Sequence, residues 1–469
     1  VAQEHPIAKV EATTPMAIGL WQRARDRTDR IARDSPSRLA LAVFAIIIIV
    51  FTSLLQLPIA TSSGDRAPLV DSFFTATSAV CVTGLVTVDT ATYWSPIGQF
   101  FIAIAMMVGG LGVMTLASIL GMAVSRHIGL TRRFLAAGET HSGLGEVGSL
   151  VRAVFVVSLS VQSILFVALT PFFLKEGEPL LKAAWHSFFM SASIFNNGGF
   201  VIMPEGLAPH VGDWTLTLPI MLGTIVGAIG FPVILDIARN KNRADKWNLT
   251  TKISLVTYLV LLVVGAVVLF VFEFGNNATL GSLSTIDKIN AALTQSISSR
   301  SSGLATINIG SMDESSLFVT DALMFIGGGS ASAAGGIKIT TLAVLVLAII
   351  AEARGDRDTE AFGRRVPPDV LRLAIAVTFL GATMVGAGTI ALLQLTNLPL
   401  SDVLFEAISA FATCGLSTGI TPDLPASAKV ILSVLMFAGR TGTMSLAAAL
   451  ALRSRRRVIR LPEERPTVG

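Results

Sequence analysis

Long uncharged runs alternate with short charged segments along almost the whole of this chain. Apolar residues dominate 39–57, 90–125, 153–174, 214–235, 253–272, 373–401 and 441–452. Most of these runs reach the roughly 20 residues that a helix needs to cross about 30 Å of hydrocarbon. A further run, from about 317 to 351, is interrupted by Lys338 and a glycine-rich segment. Within this pattern lie stretches of a second kind, some 11–22 residues long, uncharged but rich in Ser, Thr and Asn. They are too polar and too short to cross a bilayer, so each reads as a re-entrant helix followed by a loop.

Four of these stretches share one pattern, a short helix-like segment, small polar residues, then Gly followed by Leu or Phe. They are "DSFFTATSAVCVTGL" (71–85), "WHSFFMSASIFNNGGF" (185–200), "INAALTQSISSRSSGL" (289–304) and "LFEAISAFATCGLSTG" (404–419). Aligned on Gly84, Gly199, Gly303 and Gly415, they are spaced 115, 104 and 112 residues apart. The chain therefore reads as helix, pore loop, helix, four times over, with eight spanning helices. The predicted fold is an all-α polytopic membrane protein whose four tandem repeats stand in a pseudo-fourfold arrangement around a central pore. Predicted boundaries are 1–38 (N-terminal segment), 39–125, 149–238, 252–351 and 369–452 (repeats 1 to 4) and 453–469 (basic tail).

Composition agrees, with 52% hydrophobic and 14% charged residues and a mean hydropathy of +0.70, outside the range of ordinary soluble domains. Of the 35 Lys and Arg residues, 27 fall in 1–38, 125–152, 239–252, 352–372 and 453–469. That distribution places these segments, and both termini, on the cytoplasmic side. Basic charge spread over alternate loops argues against nucleic-acid binding. The first run follows 38 residues that include "WQRARDRTDRIARDSPSR" and is expected to be a retained helix and not a cleaved signal peptide.

Non-helical backbone survives at membrane depth only where protein or a water-filled cavity satisfies it. Four loops meeting on one axis solve that problem, with freed carbonyls replacing the hydration water of a cation and helix C-termini adding negative potential. Val82, Thr83 and Gly84 thus read as one quarter of an ion filter. Cys81 and Cys414 are expected to be small packing residues, neither a disulfide nor a metal pair. Lys338 and Arg440 interrupt spanning segments, where charge is costly enough to suggest a paired or functional role. Arg300 is expected to brace the third loop through several hydrogen bonds, since a cation on the axis would repel another. "GLGEVG" (143–148) lacks the preceding strand of a nucleotide site, "NAT" (277–279) matches a glycosylation sequon on the predicted outer side that is expected to stay bare, and His127, His141, His186 and His210 lack metal-ligand spacing.

The stretches "SAVCVTGL" (78–85), "GGLGVMTLASIL" (109–120), "FNNGGF" (195–200), "SISSRSSGL" (296–304), "GGGSASAAGGIKITT" (327–341), "ATCGLSTG" (412–419) and "GRTGTMSL" (439–446) together resemble the Trk/Ktr/HKT superfamily of potassium transporters, most closely its bacterial Ktr-type membrane subunits. The resemblance implies a potassium filter formed by Val82, Thr83 and Gly84; Asn197, Gly198 and Gly199; Ser301, Ser302 and Gly303; and Thr413, Cys414 and Gly415. A glycine in all four loops is associated, in the plant members of that superfamily, with potassium preference. It also implies an intramembrane gate at Gly327, Gly328, Gly329, Ser330, Ala331, Ser332, Ala333, Ala334, Gly335 and Gly336, with Lys338 and Arg440 acting on it. Glycine, at roughly 1 kcal/mol worse than Ala in a helix, suits a segment poised to leave one.

The implied protein is a potassium-uptake pore in a bacterial cell membrane, a homodimer docked on a cytoplasmic ring of nucleotide-binding regulatory (KtrA-like) subunits, with membrane lipids as further partners. Potassium is its substrate and sodium a candidate activator; no organic cofactor is expected. The alternative within transport is a sodium-coupled secondary cation transporter, which commonly uses two inverted repeats and a midplane site. An enzyme is not expected, because the spans offer almost no carboxylate, His or Cys constellation.

Overall fold

The computed structural model describes residues 36–112, 115, 145–241 and 243–442, the side chains of 36–40 and 145–150 excepted. The segment 1–35, the expected end of repeat 1, His127, His141, Gly143 and the tail from 443 onward lie outside the described residues.

The helices follow the predicted order. Repeat 1 comprises α1 (Pro36–Leu55), the short α2 (Leu69–Val80) and α3 (Pro96–Gly112). Repeat 2 comprises α4 (Gly145–Lys175), the short α5 (Leu180–Asn196), α6 (Trp214–Ile229) and α7 (Phe231–Asn240). Repeat 3 comprises α8 (Leu249–Glu273), the short α9 (Thr285–Ser298), α10 (Glu314–Phe325) and α11 (Ile339–Arg354). A two-stranded hairpin, β1 (Glu360–Ala361) with β2 (Arg364–Arg365), leads to repeat 4, which comprises α12 (Pro368–Leu395), the short α13 (Leu400–Ala412) and α14 (Ala426–Phe437) continuing as a π-turn (Ala438–Gly442).

Polarity is inverted relative to a soluble protein. The long helices turn Val, Leu and Ile outward, as α8 does with Val256, Leu259, Val260, Val263, Val264, Val267 and Val271, while the short helices bury hydroxyls such as Ser72, Thr75, Thr77 and Ser78 of α2. Of these, Ser78 accepts a bond from Gly84 N, and enclosure by other helices keeps all four away from lipid.

Each short helix packs on the long helix that precedes it, and further contacts join the helices of the four predicted repeats. α5 meets α3, where the Trp185 Nε1–H donates to Gln99 Oε1 at 3.0 Å. α9 packs on α6, with Asn290 Nδ2 donating to Thr217 Oγ1 at 2.9 Å. α13 packs on α10, stacking Phe411 on Phe325 with centroids 6.3 Å apart. α14 packs on α2, and the Lys429 Nζ lies 3.2 Å from Asp71 Oδ1, joining the fourth repeat back to the first.

Three sequence expectations need correction. The run 214–235 is not one straight span, because the chain bends by 94° at Gly230, between α6 and α7. Gly230 takes φ +105°, and Pro232 in the first turn of α7 starts the new helix without needing its N–H. The last helix begins at Ala426, well before the uncharged run at 441: Arg440 divides that run from the uncharged 430–439, and the Lys429 in its first turn is matched by Asp71. The helix expected from residue 90 begins at Pro96. Among the described residues, three unbroken helices (Val151–Lys175, Leu249–Glu273 and Pro368–Leu395) are long and apolar enough to span, or four spans with the bent pair. The other described helices are shorter.

Candidate ion filter

The four short helices end at Val80, Asn196, Ser298 and Ala412, each directly before one of the predicted loops. Three loops turn through a left-handed residue two positions before the glycine, namely Val82 (φ 56°), Asn197 (φ 57°) and Thr413 (φ 47°). Such an angle is a strained choice for the β-branched Val82 and Thr413. All four aligned glycines also have positive φ, from 65° at Gly303 to 97° at Gly84.

The chain turns back with the same five-residue bond in each copy: Thr83 N donates to Ser78 O at 2.7 Å, Gly198 N to Ser193 O at 2.6 Å, Gly303 N to Ser298 O at 3.4 Å and Cys414 N to Ser409 O at 2.9 Å. The serine hydroxyls then fasten the loops. Gly84 N donates to Ser78 Oγ and Gly415 N to Ser409 Oγ, while Ser193 Oγ donates to Phe200 O and Ser298 Oγ bonds Ser302 Oγ. Sequence reasoning did not single out Ser78, Ser193, Ser298 and Ser409, although each stands five or six residues before its glycine in the quoted repeats.

The loops touch one another in the order one, two, three, four, one. A methyl group on Gly84 would lie 2.6 Å from Gly199 Cα, and one on Gly199 would lie 2.9 Å from Ser302 O. A methyl on Gly303 would lie 2.9 Å from Gly415 Cα, and one on Gly415 would run into Thr83 O and lie 3.1 Å from Gly84 Cα. The Cys414 thiol is unpaired in any disulfide and reaches Ser299 O at 3.2 Å, fastening loop four to loop three. Every predicted filter residue except Gly199 and Gly303, which are half-buried, is buried.

Loop three lacks the left-handed turn and is braced differently. Arg300, 1% exposed, donates from Nη1 to Tyr258 O at 2.8 Å and from Nε to Ser296 O at 3.3 Å, and its guanidinium lies 3.8 Å from the Tyr258 ring centroid. The expected bracing role thus matches its contacts. In loop four the buried Glu406, which sequence reasoning missed, accepts from Ser417 Oγ and from Thr421 Oγ1 and so holds the segment leaving Gly415.

The glycine-rich segment is an ordered loop between α10 and α11. Its ends are joined by Gly327 N to Ile337 O at 2.8 Å and Ile337 N to Phe325 O at 3.2 Å. One flank docks on the break between α6 and α7: Gly329 N donates to Ala228 O, Ala333 N to Gly227 O, and Phe231 N to Ala331 O. The other flank lies under loop four, where a methyl on Gly335 would lie 2.7 Å from Ala412 O. Arg440, 2% exposed in the π-turn, donates from Nη1 to Ala333 O, and Lys338 Nζ donates to Ala334 O at 2.6 Å. Both cations therefore pair with carbonyls of the glycine-rich loop itself.

The second helices cross the short helices on glycines, with Gly109 against Val80 O, Gly227 against Phe195 O and Gly439 against Phe411 O. These approaches have no room for a Cβ.

The sequence pattern of the family described as "TrkH: Cation transport protein" matches residues 18–457. The chain belongs to the TrkH family. It is 36% identical over 430 residues to Ktr system potassium uptake protein B of Bacillus subtilis (strain 168), covering 91% of this chain and 95% of the relative. Potassium/sodium uptake protein NtpJ of Enterococcus hirae is 32% identical over 93% of this chain and 98% of its own length. The crystal structure of the potassium transporter TrkH from Vibrio parahaemolyticus shares the fold, with a TM-score of 0.70 and 16% identity, covering 88% of this chain and 83% of that one. The four-loop ring, the glycine-rich loop and Arg440 all lie inside the TrkH-family match.

Proposed function

We propose that this TrkH-family chain is the translocating subunit of a Ktr-type system and takes up potassium through a channel-like pore. Carbonyls of residues 82–84, 197–199, 301–303 and 413–415 form the filter, in a pseudo-fourfold arrangement, and residues 327–336 with Lys338 and Arg440 form the gate beneath it. The observation that carries this reading is the closed cycle of contacts among four loops whose aligned glycines all have positive φ. A buried ring of backbone carbonyls needs a partner, and a dehydrated cation supplies one. The four helix C-termini ending at the ring favour a positive charge there.

The relatives' names support potassium as the substrate and a Ktr system as the setting. On this reading the chain is a homodimer in a bacterial cell membrane with both termini inside, and it docks on a nucleotide-binding KtrA-like ring. Sodium enters as activator or second substrate, the latter favoured by the name of the potassium/sodium relative NtpJ. The test is electrogenic potassium flux into proteoliposomes of the purified chain. Flux that needs no co-substrate is expected. Flux that stops unless sodium moves in fixed ratio would replace the pore with a sodium-coupled transporter.

A further inference from the structure

The bend at Gly230 turns α7 away from α6, and the chain beyond it builds a basic cleft. An open surface groove of about 780 Å³ is lined by Arg239, Asn240, Lys241, Arg243 and Lys246, its four cations exposed. Among the described residues none of its four cations forms a salt bridge and no carboxylate lines it, although the exposed Asp245 stands in the same loop. The nearby Asp236 is buried and fully engaged, accepting from Asn240 Nδ2 at 2.8 Å, Asn248 N at 2.8 Å and Thr251 Oγ1 at 2.6 Å. These bonds tie the end of α7 to the start of α8 and fix the loop that carries the cations.

The loop is a built feature. Lys241 has φ 47°, uncommon for a side chain of that size, and its carbonyl accepts the Trp247 Nε1–H at 3.2 Å. The C-terminal dipole of α7 opposes an anion at this end, and Arg239 in its last turn with Lys241 at its cap offsets that opposition.

Position identifies the anion. Two residues after the half-buried Trp247, α8 begins at Leu249 and soon turns Val256, Leu259, Val260 and Val263 outward, each about half exposed or more. Seven residues of helix rise about 10 Å, so the cleft stands at headgroup depth beside a lipid-facing stripe. Tryptophan and clustered Lys and Arg at that depth suit an anionic headgroup.

We infer that the cleft binds the phosphate of an anionic phospholipid, and that its occupancy acts on the glycine-rich loop through α7. The lever is short: Arg239 stands at one end of α7, and at the other Phe231 N holds Ala331 O at 3.1 Å. The binding claim stands independently; the second claim rests on reading 327–336 as the gate.

The experiment measures phosphatidylglycerol retained by the purified full chain in nanodiscs of phosphatidylcholine with about one-fifth phosphatidylglycerol. It compares the wild type with Arg239→Gln/Lys241→Gln/Arg243→Gln/Lys246→Gln and with a control in another basic loop, Arg357→Gln/Arg364→Gln/Arg365→Gln. The pair Arg243→Gln/Lys246→Gln replaces the fourfold variant if that variant does not fold. Four near-surface cations predict at least about a tenfold loss of retention in the cleft variant and little change in the control. Equal losses in both, or none, overturn the site. Displacement of the lipid by millimolar inorganic phosphate overturns the lipid as the source and leaves a free-phosphate site. In proteoliposomes, wild-type flux is expected to change with phosphatidylglycerol content while the cleft variant's does not. Retention that differs without a matching difference in flux overturns the lever and leaves binding intact, and retention is read whether or not the chain conducts potassium.

Discussion

Replacing Arg300 with methionine removes the brace of the third loop while keeping an unbranched apolar stem. The substitution deletes a charge-assisted bond to Tyr258 O at 2.8 Å, a longer one to Ser296 O at 3.3 Å and a guanidinium stacked 3.8 Å from the Tyr258 ring. The shorter bond is worth about 1.5–3 kcal/mol and the stacking about 0.5–2 kcal/mol. Against this stands relief from burying a guanidinium whose Nη2 has no partner, a penalty of several kcal/mol in full burial. Overall stability therefore changes little, because the relief offsets the lost bonds, but what remains no longer fixes one loop geometry. If the loop's preference for its observed shape falls by about 1.4 kcal/mol, the ratio of potassium to sodium flux falls about tenfold. Arg300→Lys keeps the charge without the planar fork and should fall in between. The assay is flux of each ion into proteoliposomes, with a melting curve for each variant. A folded Arg300→Met protein with wild-type selectivity and flux would refute the bracing argument.

Arg440→Gln loses the guanidinium tie to Ala333 O. Basal flux should rise several-fold without regulatory subunits, and unchanged flux in a folded variant would remove Arg440 from the gate. Asp213 tests the periphery: burial alone would raise its pKa, but bonds from Lys175, the Thr215 hydroxyl and Thr215 N outweigh it and hold the carboxyl at about 2. Because the folded pKa is depressed, its stabilisation is present above the unfolded value near 3.9 and is lost as pH falls through about 2. Asp213→Asn should therefore lower the melting temperature at pH 7 and lose that deficit near pH 2; a deficit unchanged with pH would contradict the ionic account. Gly439→Ala would drive a Cβ into Phe411 O, so a loss of folded yield is expected, and normal yield with normal flux would show that the crossing can open.

Much of the architecture was legible because membrane depth punishes polar backbone. That penalty makes four short polar stretches between apolar runs visible, and it made the aligned glycines the right anchors. The expectation that Arg300 braces its loop followed from the cost of a cation on an ion path. Less was visible where a tertiary partner changes the local rule. Lys429 stands in the first turn of the last helix, and its partner is the distant Asp71. The bend at Gly230 was written in the Gly-Phe-Pro step, but an uncharged run of 22 residues (214–235) hid it. The serines under the loops were in plain view at a repeated offset, yet Ser is so common in these stretches that their bonding had to be seen in three dimensions. Glu406 gave no periodic signal at all, because its partners, Ser417 and Thr421, come from the segment on the far side of the filter loop.

The central claim is that the four loops form one cation filter, and Gly84 is its most direct test. Gly84 has φ +97°, and an added side chain would meet Gly199 Cα and Gly198 O at 2.6 and 2.8 Å. Potassium and sodium flux into proteoliposomes should be measured for the wild type and Gly84→Ser. The account predicts potassium-selective flux that becomes sodium-permeable in the variant. A folded, active Gly84→Ser protein with unaltered selectivity would contradict it.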